Sequence, residues 1–575
     1  MSAALDTTAA STPHDRNAPP APRDPAFLMR PERLAAFQPS RVSASRALMA
    51  QAIAERWKIT TRRFDIGADS AGTAVYEIVT PGGTFSFLAY SNTPQRAGRT
   101  GRIIGRTWDM TGSLVEGVAT ERVVETTRRE LPKLYAGRAT PGTLIWCRSN
   151  RSMRVFDATV AALASGRQPD AALVAQSCYL MRNTGLDGNG TFGTRSFLAL
   201  EEGHALRHPL AAQMLAAYMM REFAADLANR LAALQSPDAV PLSPEVRRFL
   251  GIGNGSALGL ILFINNHPRL INAWIEARER AIAAARALPV GAGDERLAHL
   301  ESLVRRAAHF RREDRMVYDA FAPSALIAEE LEAVAGLVAA LHAAGSAAAH
   351  PLDDLATEVA ARFHPETEET LLSLMIELAP EEADRLARSM IVTEEMAVQP
   401  AMQAGSLRAI LHREYDWALA MDLTAPGAYE HVWYKSATAE EPRRGPKAEA
   451  PPGTFNLGLD VPGLVQALDA ALAERDAEEP VARLLLARPD LRQIVARVQS
   501  LAGLPYHQPR VNIMADSFVP AHMVRLMNVA LHGVDKTRDY LARNLRGVLF
   551  HGAPVAADLA GGADPDWFYP PEPRA

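Results

Sequence analysis

The stretch of residues 73–91, TAVYEIVTPGGTFSFLAYS, decides the fold of the N-terminal part of the chain. Its two halves, Thr73–Thr80 and Thr84–Ser91, alternate apolar and polar residues, which is the pattern of a half-buried β-strand. The tripeptide Pro81-Gly82-Gly83 joins the halves, and such turn residues between alternating runs indicate a hairpin. We therefore expect an antiparallel strand pair here.

Further strand-like runs lie on both sides of this hairpin, at Arg62–Ile66, Arg102–Trp108 and Thr143–Arg148. Their β-branched and aromatic residues favour strands, whereas residues 119–135 have a helical composition. These elements predict an α+β domain at residues 40–165, built on a small antiparallel or mixed sheet.

From residue 170 onward the apolar residues follow a helical period, as in His208–Leu234. The predicted fold class is mainly α, with an N-terminal α+β domain and a large helical C-terminal region. We expect a helical domain at 170–435, a flexible linker or loop at 436–453 and a C-terminal helical region at 454–552. The flanks are predicted to be a disordered tail at 1–25 and a Pro-rich tail at 553–575.

Composition and charge exclude several classes of function. The chain has 575 residues, of which 48% are hydrophobic and 22% charged, as in a globular protein of several domains. A net charge of −5 does not favour nucleic acid. No apolar run is long enough to span a membrane, and the N-terminal residues lack the apolar core of a signal peptide. We expect a soluble, cytoplasmic protein with neither nucleic-acid nor membrane partners.

The sequence lacks the common cofactor and hydrolase motifs. There is no P-loop, and the glycines of residues 251–259 neither fit the dinucleotide-binding spacing nor follow a predicted strand. No nucleophile elbow, H-E-x-x-H motif or kinase signature occurs. We expect no cofactor.

A basic segment follows the predicted strand that ends at Arg148. Arg151 and Arg154 lie three residues apart, so they would share one face of a helix. Guanidinium groups match the oxygens of carboxylates and phosphates, which makes these three arginines candidate substrate-binding residues. The chain has 56 arginines and five lysines, so a solvated basic turn remains the alternative.

Two loops rich in glycine and asparagine add further candidates for substrate binding. Glycines let a backbone approach a ligand closely, and the neighbouring side chains supply donors. The candidates are Arg182, Asn183, Asn189 and Arg195 in the first loop and Asn254 and Ser256 in the second. Exposed connectors or tight interhelical turns would explain the same composition.

The candidate catalytic residues lie near residue 415. His412 and Asp416 are four residues apart, so on a helix the carboxylate could orient the imidazole. Lys435 stands among aromatic residues, where burial would lower its pKa and make it a base or a Schiff-base nucleophile. Chance survival of a surface lysine is the alternative.

A metal site is a further hypothesis. If helical, Glu201, His204 and His208 would lie on one face, and E-x-x-H is half of a carboxylate di-iron pattern. A second copy of the motif is missing, and Gly203 and Pro209 favour a helix break.

These observations favour a soluble metabolic enzyme acting on an anionic small molecule, either a carboxylate or a phosphate. The expected site is a cleft between the α+β and helical domains, and lyase, isomerase or transferase chemistry without a cofactor follows by elimination. One alternative is a non-enzymatic helical protein that binds a partner or assembles with copies of itself as a homo-oligomer. The other is a metal-dependent enzyme that uses the Glu201, His204 and His208 set.

Overall fold

The computed structural model describes most of the chain. The described residues are 18–94, 108–134, 142–188, 200–255, 268–313, 322–390, 397–425, 433–435, 442–444, 461–506, 526–533, 536–538, 546–564 and 566–573.

The core element is a nine-stranded, mostly antiparallel sheet with strand order β1-β2-β3-β4-β5-β6-β7-β11-β10. Its strands are β1 Lys58–Ile66, β2 Gly72–Thr80, β3 Gly83–Ser91, β4 Met110–Glu116, β5 Thr143–Arg151, β6 Tyr179–Gly188, β7 Gly251–Gly255, β10 Lys536–Arg538 and β11 Arg546–Leu549. The predicted hairpin is confirmed, since Thr80 pairs with Gly83 at its turn. Among the described strand pairs, β6 and β7 are the one parallel pair.

The predicted fold class is wrong about the size of the sheet. The expectation was a small sheet confined to residues 40–165, but β6, β7, β10 and β11 come from later parts of the chain. Residues 536–538, predicted as the start of a helix, form the edge strand β10. The large helical C-terminal region is present, and about half of the chain is helical. A separate two-stranded pair consists of β8 Trp433–Lys435 and β9 Pro442–Arg444.

Helices cover the sheet and extend beyond it. Those within residues 25–313 are α1 Pro25–Leu28, α2 Pro31–Ala36, α3 Ala44–Ala54, α4 Glu121–Leu134, α5 Phe156–Ala164, α6 Ala171–Ser177, α7 Ala211–Gln235, α8 Pro244–Phe249, α9 Pro268–Arg286 and α10 Glu295–Glu313. The later ones are α11 Ser324–Ala344, α12 Pro351–Arg362, α13 Pro365–Met375, α14 Pro380–Arg388, α15 Ala404–Glu414, α16 Asp416–Leu419, α17 Val461–Ala473, α18 Val481–Ala487, α19 Arg492–Leu501 and α20 Ala556–Leu559. A π-helix spans Leu526–His532.

The long helix α7 lies against one face of the sheet, where it contacts β3 to β7. Its alanines, leucines and methionines are buried on nearly every side, as expected for a helix enclosed by other elements. On the opposite face, Val124 of α4 packs against Val75, Leu88 and Tyr90. The sheet is thus the middle layer of this part of the chain.

The helices divide between two hydrophobic clusters. The first unites the sheet, α7 and the other helices up to α14 except α4, whose Val124 packs in a small separate cluster, whereas the second is formed by α15 to α19 within residues 404–501. In the part of the chain that the structure describes, no helix is both long and apolar enough to span a membrane.

Candidate functional site

Three of the sequence motifs lie on neighbouring strands of the sheet. The basic segment is on β5, the first glycine-rich loop begins on β6, and the second begins on β7. We call their described polar residues the arginine–asparagine cluster; its members are Arg148, Asn150, Arg151, Arg182, Asn183 and Asn254. Strand pairing therefore brings together residues that are more than 100 positions apart in the chain.

The strand register arranges the cluster in two adjacent rows. In one row Ser149 is opposite Asn183, and Asn183 lies beside Asn254. In the next row Asn150 is opposite Arg182, and Arg182 lies beside Gly253. Successive residues of a strand point to opposite faces of the sheet, so the two rows lie on opposite faces. Within one row, directly opposed side chains have Cβ atoms roughly 5 Å apart, so one small ligand could contact both Asn150 of the basic segment and Arg182 of the first glycine-rich loop.

Two of the arginines are positioned by aromatic rings. The guanidinium of Arg148 lies 4.4 Å from the ring centre of Trp108, and that of Arg151 lies 4.6 Å from the ring centre of Phe156. These cation–π contacts restrict the orientation of each guanidinium. Arg154, the third predicted arginine, is exposed just beyond the strand.

Asp109 is the acidic residue that binds to this cluster. Its main-chain N–H donates to Oδ1 of Asn150 at 3.1 Å, and its Oδ2 accepts the main-chain N–H of Arg151 at 2.9 Å. Only 1% of Asp109 is exposed. These two hydrogen bonds fix the end of β5 against the residue that precedes β4. The sequence motifs did not include Asp109, because its partners are 41 and 42 residues away.

Gly253, which has no side chain, determines the packing in the β7 part of the cluster. A Cβ atom on Gly253 would lie 2.9 Å from two carbons of the Tyr179 ring, which is closer than van der Waals packing allows. The aromatic ring therefore packs directly on the glycine backbone, beside the row that contains Arg182.

Several predicted residues cannot be placed. Asn189, Arg195 and Ser256 lie outside the described residues, so their predicted roles stay predictions. Lys435 is the last residue of β8, paired with Pro442, but its side chain also lies outside the description.

The predicted pair of His412 and Asp416 does not form. Helix α15 ends at Glu414, and Asp416 begins the short helix α16. The Nε2 atom of His412 instead lies 2.7 Å from Oδ1 of Asp469. A hydrogen bond from Arg408 lowers the pKa of Asp469. These residues belong to the second hydrophobic cluster and the arginine–asparagine cluster to the sheet, so no described contact links the two predicted groups.

The proposed metal-binding residues occupy a turn and not one helix face. Glu201 is exposed, while His204 and His208 both line a cavity. Both ring nitrogens of His208 face main-chain oxygens, of Pro209 at 2.9 Å and of Ala387 at 2.5 Å. Burial lowers the pKa of His208. Across the described ranges, no group of three or more His, Cys, Asp or Glu side chains is placed to hold a metal ion.

Comparisons with protein-family models, with curated proteins and with solved structures found no match to this chain.

Proposed function

We propose that the protein is a cytoplasmic enzyme that acts on an anionic small molecule, a carboxylate or a phosphate, bound at the arginine–asparagine cluster. The observation that carries the proposal is the strand register, which sets Arg182 of the first glycine-rich loop opposite Asn150 of the basic segment on one face of the sheet. Guanidinium and amide groups in fixed positions recognise the oxygens of such anions.

The charge of the cluster supports an anionic ligand. Arg148, Arg151 and Arg182 contribute three positive charges, and Asp109 contributes one negative charge. These four side chains together carry a net positive charge.

The position of these polar groups supports a functional role. Buried polar groups cost folding free energy unless they are hydrogen-bonded, and apolar residues fill the interior of most sheets at lower cost. Asn183 is 1% exposed and Asn150 is 7% exposed. Buried polar side chains of this kind in a sheet interior are typical of a binding or catalytic site.

The proposed chemistry is that of a lyase, isomerase or transferase that works without a cofactor. Catalytic roles for His412, Asp416 and Lys435 remain part of the proposal, although His412 binds Asp469 in this structure. The carboxylate of Asp109 accepts the main-chain N–H of Arg151.

A thermal-shift screen tests the proposal. The probes are inorganic phosphate, nucleotides, acyl-CoA and di- and tricarboxylates, with EDTA and divalent metals as separate arms. A ligand at ~100 times its dissociation constant stabilises a protein by about 2.7 kcal/mol, which the screen detects readily. We expect one anion class to raise the melting temperature.

The double variant Arg151→Ala/Arg182→Ala should lose this shift, whereas the exposed Arg154→Ala should keep it. An unchanged shift in the double variant would show that the cluster is not the binding site. If no anion shifts the wild type, the partner-binding alternative is favoured, and a response to metal or EDTA alone favours a metal enzyme.

A further inference from the structure

A cavity lies far from the arginine–asparagine cluster, at the turn of the β2–β3 hairpin. We call it the hairpin cavity. It has a volume of about 580 Å³ and lies between α3, the turn Pro81–Gly82, the segment Gly203–His208 and the end of α14. This volume is in the range of small-molecule sites.

The register of the sheet separates the two sites. Gly83 is next to the turn, whereas Ser91, at the other end of β3, aligns through Met110 with Ser149 of the cluster row. Eight residues at ~3.3 Å each correspond to about 26 Å along the strand. The two sites can therefore be varied independently.

Part of the lining of the hairpin cavity is apolar, and we call this part the alanine wall. It is formed by alanine side chains of α3 and of the segments facing it, among them Ala47, Ala54, Ala205 and Ala387. Because alanine methyl groups project little, they leave space for a ligand while offering it apolar contact.

The rim of the hairpin cavity carries two arginines that have no ion-pair partner among the described residues. Arg207 comes from the segment before α7 and Arg388 from the last turn of α14, and both are exposed. Their positive charges are therefore available to a ligand at the mouth of the cavity.

The acidic side chains of this cavity, in contrast, accept hydrogen bonds from other residues of the protein. Asp384 accepts hydrogen bonds from Nε and an Nη of Arg41 at 2.9 and 3.1 Å. Glu55 accepts from the indole of Trp57 at 2.7 Å and from Gln51 at 3.1 Å. Arg41 thus neutralises Asp384, while Glu55 keeps its negative charge, and the two rim arginines leave the lining of the cavity with a net positive charge.

The ring nitrogens of the two histidines of the cavity also have partners within the protein. His204 accepts the main-chain N–H of Leu206 on Nδ1 at 3.0 Å, and its Nε2 is 3.3 Å from Glu116. His208 contacts two carbonyl oxygens. Neither imidazole is placed to act as a metal ligand or a general base, so the cavity is suited to binding.

We propose that the hairpin cavity binds a monocarboxylate with an apolar body, with its carboxylate between Arg207 and Arg388 and its body on the alanine wall. The charged rim and the apolar wall each select one half of this ligand, and an inorganic anion or a neutral lipid would satisfy only one of them.

Calorimetric titration of the full-length protein with octanoate tests this inference. Octan-1-ol, which has the apolar body without the charge, and inorganic phosphate, which has the charge without the body, serve as matched probes. We expect octanoate to bind at least tenfold more tightly than either. Equal binding of octanol or of phosphate, or no binding of octanoate, would overturn the proposal.

Variants locate the site. Arg207→Gln/Arg388→Gln should weaken octanoate binding at least tenfold, and Ala47→Leu should do so by filling the cavity without changing its charge. Arg385→Gln is the matched control, because Arg385 is exposed on the same helix and pairs with Glu382. Each variant's melting temperature verifies that it is folded. Unchanged binding in the folded double-arginine variant would refute the site.

The outcome of the octanoate titration can be distinguished from the outcome of the thermal-shift screen that tests the proposed function. The Arg151→Ala/Arg182→Ala variant should keep its affinity for octanoate, since its substitutions are at the other end of the sheet.

Discussion

The guanidinium of Arg23 binds the carboxylate of Glu279 side-on, with its Nε and an Nη donating at 2.8 Å each. The same guanidinium bonds to Glu369 of α13, and both carboxylates are fully buried. Arg278 supplies the second positive charge, 3.0 Å from Glu279 and 2.9 Å from Glu369. Residues 18–25, in the predicted disordered tail, thus include a side chain held in the helical core.

Replacing Arg23 by alanine should destabilise the protein strongly. Removing one partner of a buried ion pair costs about 3–5 kcal/mol, because a charge remains buried without compensation. Urea denaturation of Arg23→Ala measures this change in the free energy of unfolding. The control is Arg30→Ala, whose exposed side chain contacts the Phe27 ring and whose removal should cost less than about 1 kcal/mol. Similar losses in both variants would contradict the expectation.

Arg221 of α7 holds main-chain oxygens of two distant segments. Its buried guanidinium donates to carbonyl oxygens at 2.6–3.3 Å, which belong to Arg247, Arg248, Leu250, Ala553 and Pro554. The first three are at the C-terminal end of α8, where a positive charge is favourable.

Lysine cannot reproduce this planar set of donors. We expect Arg221→Lys to reduce the free energy of unfolding by about 3 kcal/mol, because buried carbonyls lose their partners. Arg230→Lys on the same helix is the control, since Arg230 is exposed and its one hydrogen bond within the described part of the chain is to Ile66 at 3.3 Å. If both substitutions leave the denaturation midpoint unchanged, Arg221 does not fasten these segments.

The sequence predicts the parts of the fold whose signals are local. The β2–β3 hairpin was predictable because alternation and turn residues lie within twenty positions. By contrast, β7 is Gly251–Gly255, with the sequence GIGNG, and glycine is depleted in strands. Its strand character comes from pairing with β6 and β11, which are remote in sequence. Neither partner can be inferred from the residues around β7.

The candidate site shows the same difference between features that have a local sequence signal and features that depend on long-range pairing. Arg182, Asn183 and Asn254 were identifiable from composition, because glycine-rich polar loops favour ligand contact. Their adjacency depends on strand order, which the sequence pattern does not reveal. For His412 the local prediction failed, because its partner Asp469 is 57 residues away and the helix ends before Asp416.

Two glycines should respond to alanine in opposite directions. At Gly253 the added methyl group would collide with the Tyr179 ring, so Gly253→Ala should destabilise by about 1–3 kcal/mol. Gly336 lies inside α11 with nothing within 4 Å of an added Cβ. There alanine should stabilise by about 0.5–1 kcal/mol through its higher helix propensity. Thermal denaturation of both variants measures the signs, and a stabilised Gly253→Ala would disprove the close packing.

Stability should fall as the pH drops below about 6.5, in part through His532. This residue ends the π-helix, is 5% exposed, and its Nδ1 has no hydrogen-bond partner among the described residues. Burial lowers its pKa to about 4, whereas in the unfolded chain the ordinary value is ~6.5. Above that pH the imidazole is neutral in both states, and below it only the unfolded chain takes up the proton. Acid therefore favours unfolding.

Between pH 7.5 and pH 5.5 the contribution of His532 amounts to about 1.4 kcal/mol. Urea denaturation at both pH values compares the wild type with His532→Leu, which has no proton to bind. The variant should lose about 1.4 kcal/mol less than the wild type over this interval, whatever its stability at pH 7.5. An identical loss in the two proteins would mean that His532 is protonated equally well in the folded and unfolded states, and hence that it is not buried in an apolar environment.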